Sequence, residues 1–388
     1  MNLKEEIKEN IYLAKWVDAY RGRSFERERT LRKFIRKMSQ IDSIRDIELF
    51  RQTIAELISR NYEYNCASTR YEDANWYGYY QALQRYAGYP ERAYPILTEI
   101  EHGIRFGEAL WPYFDYNACY ICEGEERIHE IPDADPLMPV MAVGPYIHYA
   151  EQYYSEERIQ EERKKNGKTL LVFPGHSIEW EKTRENAFID ILYERYAKDY
   201  QTVMVCSYWR DLDSLEVQKF RERGARIVSA GFRGDNQFVR RLKTIISLAD
   251  LAVGNDIGTN LGFCLYLKKP YVLEGACQVD PDDGLFTEYY RELYEAFSLQ
   301  GKETFTEEQI RKQQDIYERF WGESLIKSPE EIYQIFSLID KLIRKGKWNP
   351  GRMKALIRAE TESGERWLAP EEHTLLMRML PGIKGARD

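Results

Sequence analysis

Apolar residues recur along roughly the first 60 positions of this chain of 388 residues at intervals of three and four. That spacing places them on one face of a helix. One such set is Leu31, Phe34, Ile35 and Met38. The stretch 71–86 has the same spacing and is followed by Gly88 and Pro90, so it also predicts a helix that stops there.

Short apolar runs follow, and each is ended by a glycine or a polar turn, which is typical of strands. They are residues 95–100, 118–122 and 139–143. The charged stretch 154–167 then predicts a helix that links two halves of the chain.

Between Lys168 and Gly275, apolar strands alternate regularly with amphipathic helices. The strands are predicted at residues 169–173, 202–206, 226–230, 251–253 and 270–273. The first is a continuous apolar run, as expected of a strand buried on both faces. Strict alternation of this kind gives right-handed crossovers and a doubly wound parallel sheet. The predicted fold class is therefore α/β, with a Rossmann-like sheet in the C-terminal half.

The chain is too long for one ordinary core, so several parts are expected. Beyond residue 300, helices return at 307–321 and 329–344, and a break at 349–351 precedes a polar helical tail. We predict an N-terminal helical region at 1–62, a smaller α/β domain at 63–165, the Rossmann-like domain at 166–300, and C-terminal helices with a tail at 301–388.

Composition narrows the class of protein. A net charge of −8 argues against a nucleic-acid binder. No apolar run approaches ~18 residues, so no transmembrane helix is predicted. The charged N-terminus is unlike a signal peptide, and six cysteines in so long a chain do not resemble a disulfide framework. We therefore expect a cytoplasmic protein.

A basic stretch near the N-terminus adds one further expectation. Residues 21–37 carry eight Arg or Lys against Glu26 and Glu28. A basic amphipathic helix can lie on an anionic leaflet, which would make the protein peripheral to the inner face of the cell membrane. The alternative is a core helix with a solvated charged face, as most such charge runs are.

In an open α/β sheet the ligand lies beyond the carboxyl ends of the strands, where the strand order reverses. The fourth loop of this kind is the most informative. It contains Gly254, Asn255, Asp256, Gly258, Thr259 and Asn260. Its glycines permit close approach of the backbone, and free amides where the next helix begins suit an anion such as a diphosphate. The alternative is that its Asn or Asp only caps that helix.

The loops after the first three strands supply further polar candidates. They are His176, Ser177, Tyr208, Arg210, Gly231 and Arg233. The first loop has no Gly-x-Gly-x-x-Gly, which argues against a nicotinamide or flavin cofactor. His176 can donate to a phosphate oxygen and Ser177 can add a second donor. A purely structural histidine in this Pro-Gly turn is the alternative.

Three short motifs carry a resemblance to a known family. Phe-Pro-Gly-His-Ser at 173–177, Ala-Gly-Phe-Arg at 230–233 and Gly-Asn-Asp-Ile-Gly-Thr at 254–259 resemble the donor-binding half of GT-B glycosyltransferases. More narrowly, they resemble capsule and exopolysaccharide biosynthesis transferases of bacteria. The likeness spans roughly residues 95–340, and the helices before residue 90 depart from the family's first Rossmann-like domain.

The resemblance implies a GT-B-like arrangement of two domains. Residues 166–300 would then bind the donor, and residues 63–165 would lie on the acceptor side. His176 and Ser177 would face the donor phosphates, and residues 255–260 would cradle them. The loop 207–210 would border the nucleotide base.

The acceptor side offers candidate catalytic residues at a predicted strand end. In GT-B enzymes this edge faces the cleft, where a His or carboxylate can take the proton of an acceptor hydroxyl. We favour His102 over Glu101 for this role, with a solvated turn as the alternative. Tyr146 and His148 follow another predicted strand and are expected to line the same cleft.

Metal-binding motifs are weak. Asp133 and Asp135 match an Asp-x-Asp motif but lack the fold in which it binds a metal. Cys119 and Cys122 have no second pair and lie in an apolar strand, which favours buried thiols over zinc. We expect no metal and no tightly bound cofactor.

The predicted function is metal-independent transfer of a sugar from a nucleotide-sugar donor to a glycan acceptor in cell-surface polysaccharide biosynthesis. The expected partners are the donor and a glycan or lipid-linked glycan, with no nucleic acid. The alternatives are a non-hydrolysing sugar-nucleotide epimerase and a non-catalytic GT-B-like protein that binds glycan or a partner.

Overall fold

The computed structural model describes most of the chain. The described residues are 33, 36–38, 40–41, 43–59, 73–90, 98–101, 118–128, 135–175, 187–274 and 284–383. Within them the chain forms two compact units. One takes in the described parts of 61–149 and 318–383, and the other takes in those of 33–60 and 150–317. These units join segments that are distant in sequence, whereas the predicted parts were contiguous.

The strands of the described residues lie close to their predicted positions. They are β1 (Glu99–Ile100), β2 (Tyr120–Cys122), β3 (Val140–Ala142), β4 (Thr169–Phe173), β5 (Thr202–Cys206), β6 (Arg226–Val228), β7 (Leu251–Gly254) and β8 (Tyr271–Leu273).

Helices occupy most of the remainder. Those that precede β8 in the chain are α1 (Ile47–Ser59), α2 (Tyr79–Tyr86), α3 (Tyr146–Tyr149), α4 (Glu156–Asn166), α5 (Ala187–Arg195), α6 (Leu215–Glu222), α7 (Phe238–Ser247) and α8 (Thr259–Tyr266). After β8 come α9 (Gly284–Phe297), α10 (Glu307–Trp321), α11 (Pro329–Lys345), α12 (Pro350–Thr361) and α13 (Pro370–Arg378).

The second unit contains a five-stranded parallel sheet in the order β6-β5-β4-β7-β8. Every residue of the central strand β4 is buried, as its continuous apolar run predicts. The α/β class with parallel strands is therefore confirmed. Strand order also reverses beside β4, because β5 lies on one side of it and β7 on the other.

The first unit contains a smaller parallel sheet in the order β1-β2-β3. Its middle strand β2 is buried throughout. The residue after α13 lies beside the edge strand β3. The Val140 N–H donates to the Met379 carbonyl at 2.6 Å. This contact and the stacking of Tyr80 on Phe336 join the C-terminal helices to this unit.

The N-terminal segment that leads into α1 belongs to the second unit. The Ser229 N–H donates to the Ile44 carbonyl at 3.1 Å, and the Ile44 N–H donates to the Tyr154 hydroxyl at 3.0 Å. The predicted strand 226–230 ends at Val228 because Ser229 bonds to this segment.

Two other element boundaries differ from the predicted ones for local reasons. The predicted helix at 71–86 begins as a 3-10 helix, Asp73–Gly78, in which Tyr77 has a positive φ of 58°. The predicted break at 349–351 instead starts α12, because the Asn349 side chain accepts the Arg352 N–H at 2.9 Å and Pro350 occupies the first turn.

Candidate functional site

The point where strand order reverses defines the candidate site. Strands β4 and β7 are neighbours, and Phe173 pairs with Gly254 at their carboxyl ends. The chain leaves β4 towards β5 on one side and leaves β7 towards β8 on the other. In open α/β sheets the loops that follow two such strands diverge, and ligands bind in the crevice between them.

Gly254 has no room for a side chain. A Cβ atom there would lie 1.9 Å from the hydroxyl oxygen of Tyr271 on β8 and 3.3 Å from the Phe173 carbonyl oxygen. Tyr271 is buried, and burial raises the pKa of its hydroxyl. The side chain of Asn260 donates to that hydroxyl at 3.3 Å and opposes the shift. The glycine thus allows Tyr271 to pack under the loop.

Asn255 joins the two loops of the crevice. Its side-chain oxygen accepts the backbone N–H of Gly175 at 2.5 Å. Because Gly175 follows β4 and Asn255 follows β7, this bond holds the two divergent loops together at the reversal point. The alternative that this Asn caps helix α8 is not what the structure shows, because its oxygen accepts the Gly175 N–H and the N-cap residue of α8 is Gly258.

Helix α8 begins without a side-chain cap. Its N-cap residue is Gly258, in an extended conformation, which has no side chain to cap the first turn. Asp256 instead accepts the N–H of Ile257 at 2.8 Å. The Leu261 N–H bonds back to Gly258, whereas the amides of Thr259 and Asn260 precede it at the helix start. Such a start offers N–H groups and the positive end of the helix dipole to an anion.

The loop after β5 packs around a buried tryptophan. Ser207 is buried, and its N–H donates to the Val228 carbonyl at 2.9 Å. Trp209 lies edge-on to Phe232 of the next loop, with ring centroids 5.0 Å apart. The predicted residues Tyr208 and Arg210 are half-buried on either side of it, and the Arg210 guanidinium lies 5.0 Å from the Trp209 ring.

The loop after β6 is fixed by a buried ion pair. Arg241 on α7 and Asp235 are both fully buried, and Arg241 Nη1 lies 2.5 Å from Asp235 Oδ2. Burial raises the pKa of Asp235, while Arg241 lowers it. The predicted residue Gly231 has a φ of +95°, and a Cβ there would lie 3.0 Å from Arg241 Nη1. Gly231 thus packs against the ion pair, whereas the predicted Arg233 is half-buried.

Some predicted residues lie outside the described part of the chain. These are His102, Asp133, His176 and Ser177, whose roles stay predictions. Glu101 is described and buried. It accepts the Tyr120 hydroxyl at 2.6 Å and the Arg127 Nε at 2.9 Å. Its carboxylate therefore stabilises the small sheet, and a catalytic role would compete with these bonds.

The predicted acceptor-side residues pack within the first unit. Tyr146 is buried, and its hydroxyl donates to the Ile121 carbonyl at 3.0 Å. His148 is half-buried, with its Nε2 3.5 Å from the Tyr86 hydroxyl and its ring edge-on to Tyr86. A contact with acceptor stays a prediction for both.

Two buried carboxylates were missed by the sequence analysis. Glu123, 7% exposed, follows β2 and accepts the Tyr146 N–H at 2.8 Å; burial raises its pKa well above the ordinary value. Glu274 follows β8 and accepts the Tyr196 hydroxyl at 2.5 Å and Arg195 at 3.2 Å. Both directly follow a strand, and that position is the one sequence signal they offered.

Metal ligands do not cluster among the described residues: no group of three or more His, Cys, Asp or Glu side chains is placed to hold an ion. Asp135 lies 2.7 Å from the Lys354 ammonium, and Cys119 and Cys122 are buried free thiols. No described helix is long and apolar enough to span a bilayer.

Comparison with known proteins does not assign the chain to a family. No protein-family model and no curated protein matches the chain. Among solved structures, the wall teichoic acid polymerase TagF matches with a TM-score of 0.39 and 15% identity, over 66% of this chain and 70% of that one. At this level the match carries no argument about activity.

Proposed function

We propose that the chain is a glycosyltransferase that moves a sugar from a nucleotide-sugar donor to a glycan acceptor in cell-surface polysaccharide biosynthesis. The observation that carries the proposal is the bond from the Gly175 N–H to Asn255, which joins the two loops at the reversal point beside the uncapped start of α8. In an open α/β sheet this is where a nucleotide binds.

The chemistry of the site suits a diphosphate. The backbone is close-packed at Gly254, and α8 begins at a glycine that has no side chain to cap the amides of its first turn. Donors fixed in this way stabilise the negative charge of a leaving nucleoside diphosphate without first having to reorganise. His176 and Ser177, which follow β4, are proposed to add side-chain donors to the same phosphates.

Replacing Thr259 with Val tests the diphosphate site. The substitution removes a hydroxyl beside the first amides of α8 and keeps the shape of the side chain. We expect nucleoside diphosphate binding to weaken by about 1.5–3 kcal/mol, the range of a hydrogen bond to a charged group. Calorimetric titration with nucleoside diphosphates measures the change.

Thr259→Ser is the matched control, because it keeps the hydroxyl and should retain most of the affinity. Circular dichroism should show the same fold in both variants. Equal affinity of the wild type and the Val variant would remove Thr259 from the site.

Metal independence gives a separate prediction. Because the proposed site uses backbone and side-chain donors, sugar transfer should persist in the presence of EDTA. Transfer is followed by the mass of the glycan product, with and without chelator. Complete loss on chelation, restored by manganese, would contradict the proposal and direct attention to Asp133 and Asp135.

The products distinguish the alternatives. A transferase lengthens an acceptor glycan and releases the nucleotide, whereas an epimerase returns a sugar of unchanged mass. Nucleotide or glycan binding without turnover would instead indicate a non-catalytic binding protein.

A further inference from the structure

The chain from the end of α11 into α12 is strongly basic. Residues 341–358 contain seven Lys or Arg and no Asp or Glu, although the whole chain carries a net charge of −8. Three of these cations are paired with carboxylates: Lys341 with Glu372, Arg344 with Asp340, and Lys354 with Asp135. Lys345, Arg352 and Arg358 form no ion pair among the described residues, so positive charge remains uncompensated on this surface.

Helix stability accounts for only part of this charge. Arg344 and Lys345 lie in the last turn of α11, where cations suit the helix dipole. The start of α12 is different, because its first turn contains Arg352 and no acidic residue. A cation at that end opposes the dipole, which favours an anion there. An anionic partner from outside the chain explains this arrangement better than the folding of α12 does.

Two of the cations without an ion pair lie beside apolar side chains. The Lys345 ammonium lies 4.7 Å from the centre of the Trp367 ring, and Trp367 Nε1 donates to the Leu356 carbonyl at 3.0 Å. Arg352 lies one turn before Leu356 and therefore on the same side of α12. Lys345 is exposed and the other three are half-buried. We call these four residues the basic aromatic face.

The chemistry of the basic aromatic face suits the surface of an anionic bilayer. Lys and Arg are attracted to acidic headgroups, and Trp beside an aliphatic residue suits the boundary between headgroups and acyl chains. A sugar stacked on the indole is the alternative occupant. The Lys345 ammonium already lies over the Trp367 ring, where a sugar would have to stack, so the observed contact favours a lipid surface.

We propose that the basic aromatic face docks the protein on an anionic phospholipid bilayer. This inference goes beyond the proposed sugar transfer and does not depend on it. It also assigns the contact to a different surface from the basic helix predicted at 21–37. In the described part of that stretch, Lys33, Arg36 and Lys37 are exposed.

Lys345→Gln combined with Arg352→Gln tests the proposal, because it removes two cations and keeps long polar side chains. The full chain would be sedimented with vesicles of phosphatidylcholine alone, or of phosphatidylcholine with about one third phosphatidylglycerol. We expect the wild type to bind only the anionic vesicles, and to bind them less at high salt. The variant should bind them roughly 25-fold more weakly, about fivefold for each cation lost.

Two control variants isolate the charge and its position. Lys345→Arg combined with Arg352→Lys keeps both cations and should sediment like the wild type. Lys33→Gln combined with Arg36→Gln removes two exposed cations from the stretch 21–37, and should change vesicle binding by less than about twofold. Circular dichroism should show the same fold in all three variants.

Failure of this proposal can be told apart from failure of the proposed function. A wild type that stays in the supernatant with anionic vesicles at low salt would overturn the bilayer contact. Equal binding by the wild type and the Lys345 and Arg352 Gln variant would also overturn it, as would binding to soluble polyphosphate but not to vesicles. Nucleoside diphosphate binding is measured separately, and its absence would leave the vesicle result standing.

Discussion

Replacing Arg241 with Met is expected to reduce the free energy of unfolding by about 3–5 kcal/mol, the usual loss when one partner of a buried ion pair is removed. The guanidinium donates to Asp235 at 2.5 Å and to the Met38 carbonyl at 2.7 Å. It also packs between the rings of Phe50 and Tyr153. Without it, Asp235 would keep a fully buried charge with no cation. Urea denaturation measures the loss.

The dependence on pH adds a second measurement. Burial already raises the pKa of Asp235, and removing Arg241 would raise it further. When the pKa of a carboxyl group is higher in the folded state than in the unfolded state, the free energy of unfolding falls as the pH rises between those two pKa values. The Arg241→Met variant should therefore be less destabilised near pH 4 than at pH 7.

Arg240→Met is the matched control on the same helix. Arg240 is half-buried and pairs with the exposed Glu151 at 3.3 Å, and it also donates to the Gln237 side chain at 2.7 Å and to the Gln152 carbonyl at 3.2 Å. None of its partners is a buried charge, so its loss should cost clearly less than that of Arg241. If the Arg241 and Arg240 variants lost the same stability, the buried pair would not anchor this unit.

Replacing Gly254 with Ala is expected to destabilise the protein by about 3 kcal/mol, the upper end of the range for overpacking a core. The new methyl group would overlap the Tyr271 hydroxyl oxygen, 1.9 Å away, and either β7 or β8 would have to shift. The shift would also disturb the bond from Asn260 to Tyr271. Thermal unfolding and nucleotide titration should therefore change together.

Tyr271→Phe provides the partner for a double-mutant cycle. Alone, it removes the hydroxyl that Asn260 bonds, at a cost of about 0.5–1.5 kcal/mol. Combined with Gly254→Ala, it removes the atom that the methyl group would overlap, so the double variant should be more stable than the sum predicts. Strict additivity would mean that the hydroxyl is not the obstacle.

The strands were predictable because their signal is local. The continuous apolar run of β4 and the alternation from Lys168 to Gly275 specify buried parallel strands without reference to distant residues. The end of β6 was not predictable, because Ser229 bonds to Ile44, far away in sequence. A local pattern carries no information about such a contact.

The candidate site was predictable to a similar extent. The loop 254–260 was identified from its glycines and its place before a helix, and the structure puts it at the reversal point. The bond between Asn255 and Gly175 and the contact that requires Gly254 both depend on neighbouring strands. Arg241 resembles a solvated residue on an amphipathic helix, so its burial with Asp235 gave no signal in the sequence.

The Arg241 guanidinium also sets an order of events during synthesis. It bonds to the carbonyls of Met38 and Ile41, which precede it by 203 and 200 residues. At about 5–20 residues per second, the ribosome would make the N-terminal segment roughly 10–40 s before its partner exists. Throughout that interval the apolar side chains of Met38, Ile41 and Phe50, buried in the finished protein, lack the surface that covers them. This unit therefore closes only after the chain as far as Arg241 has been made.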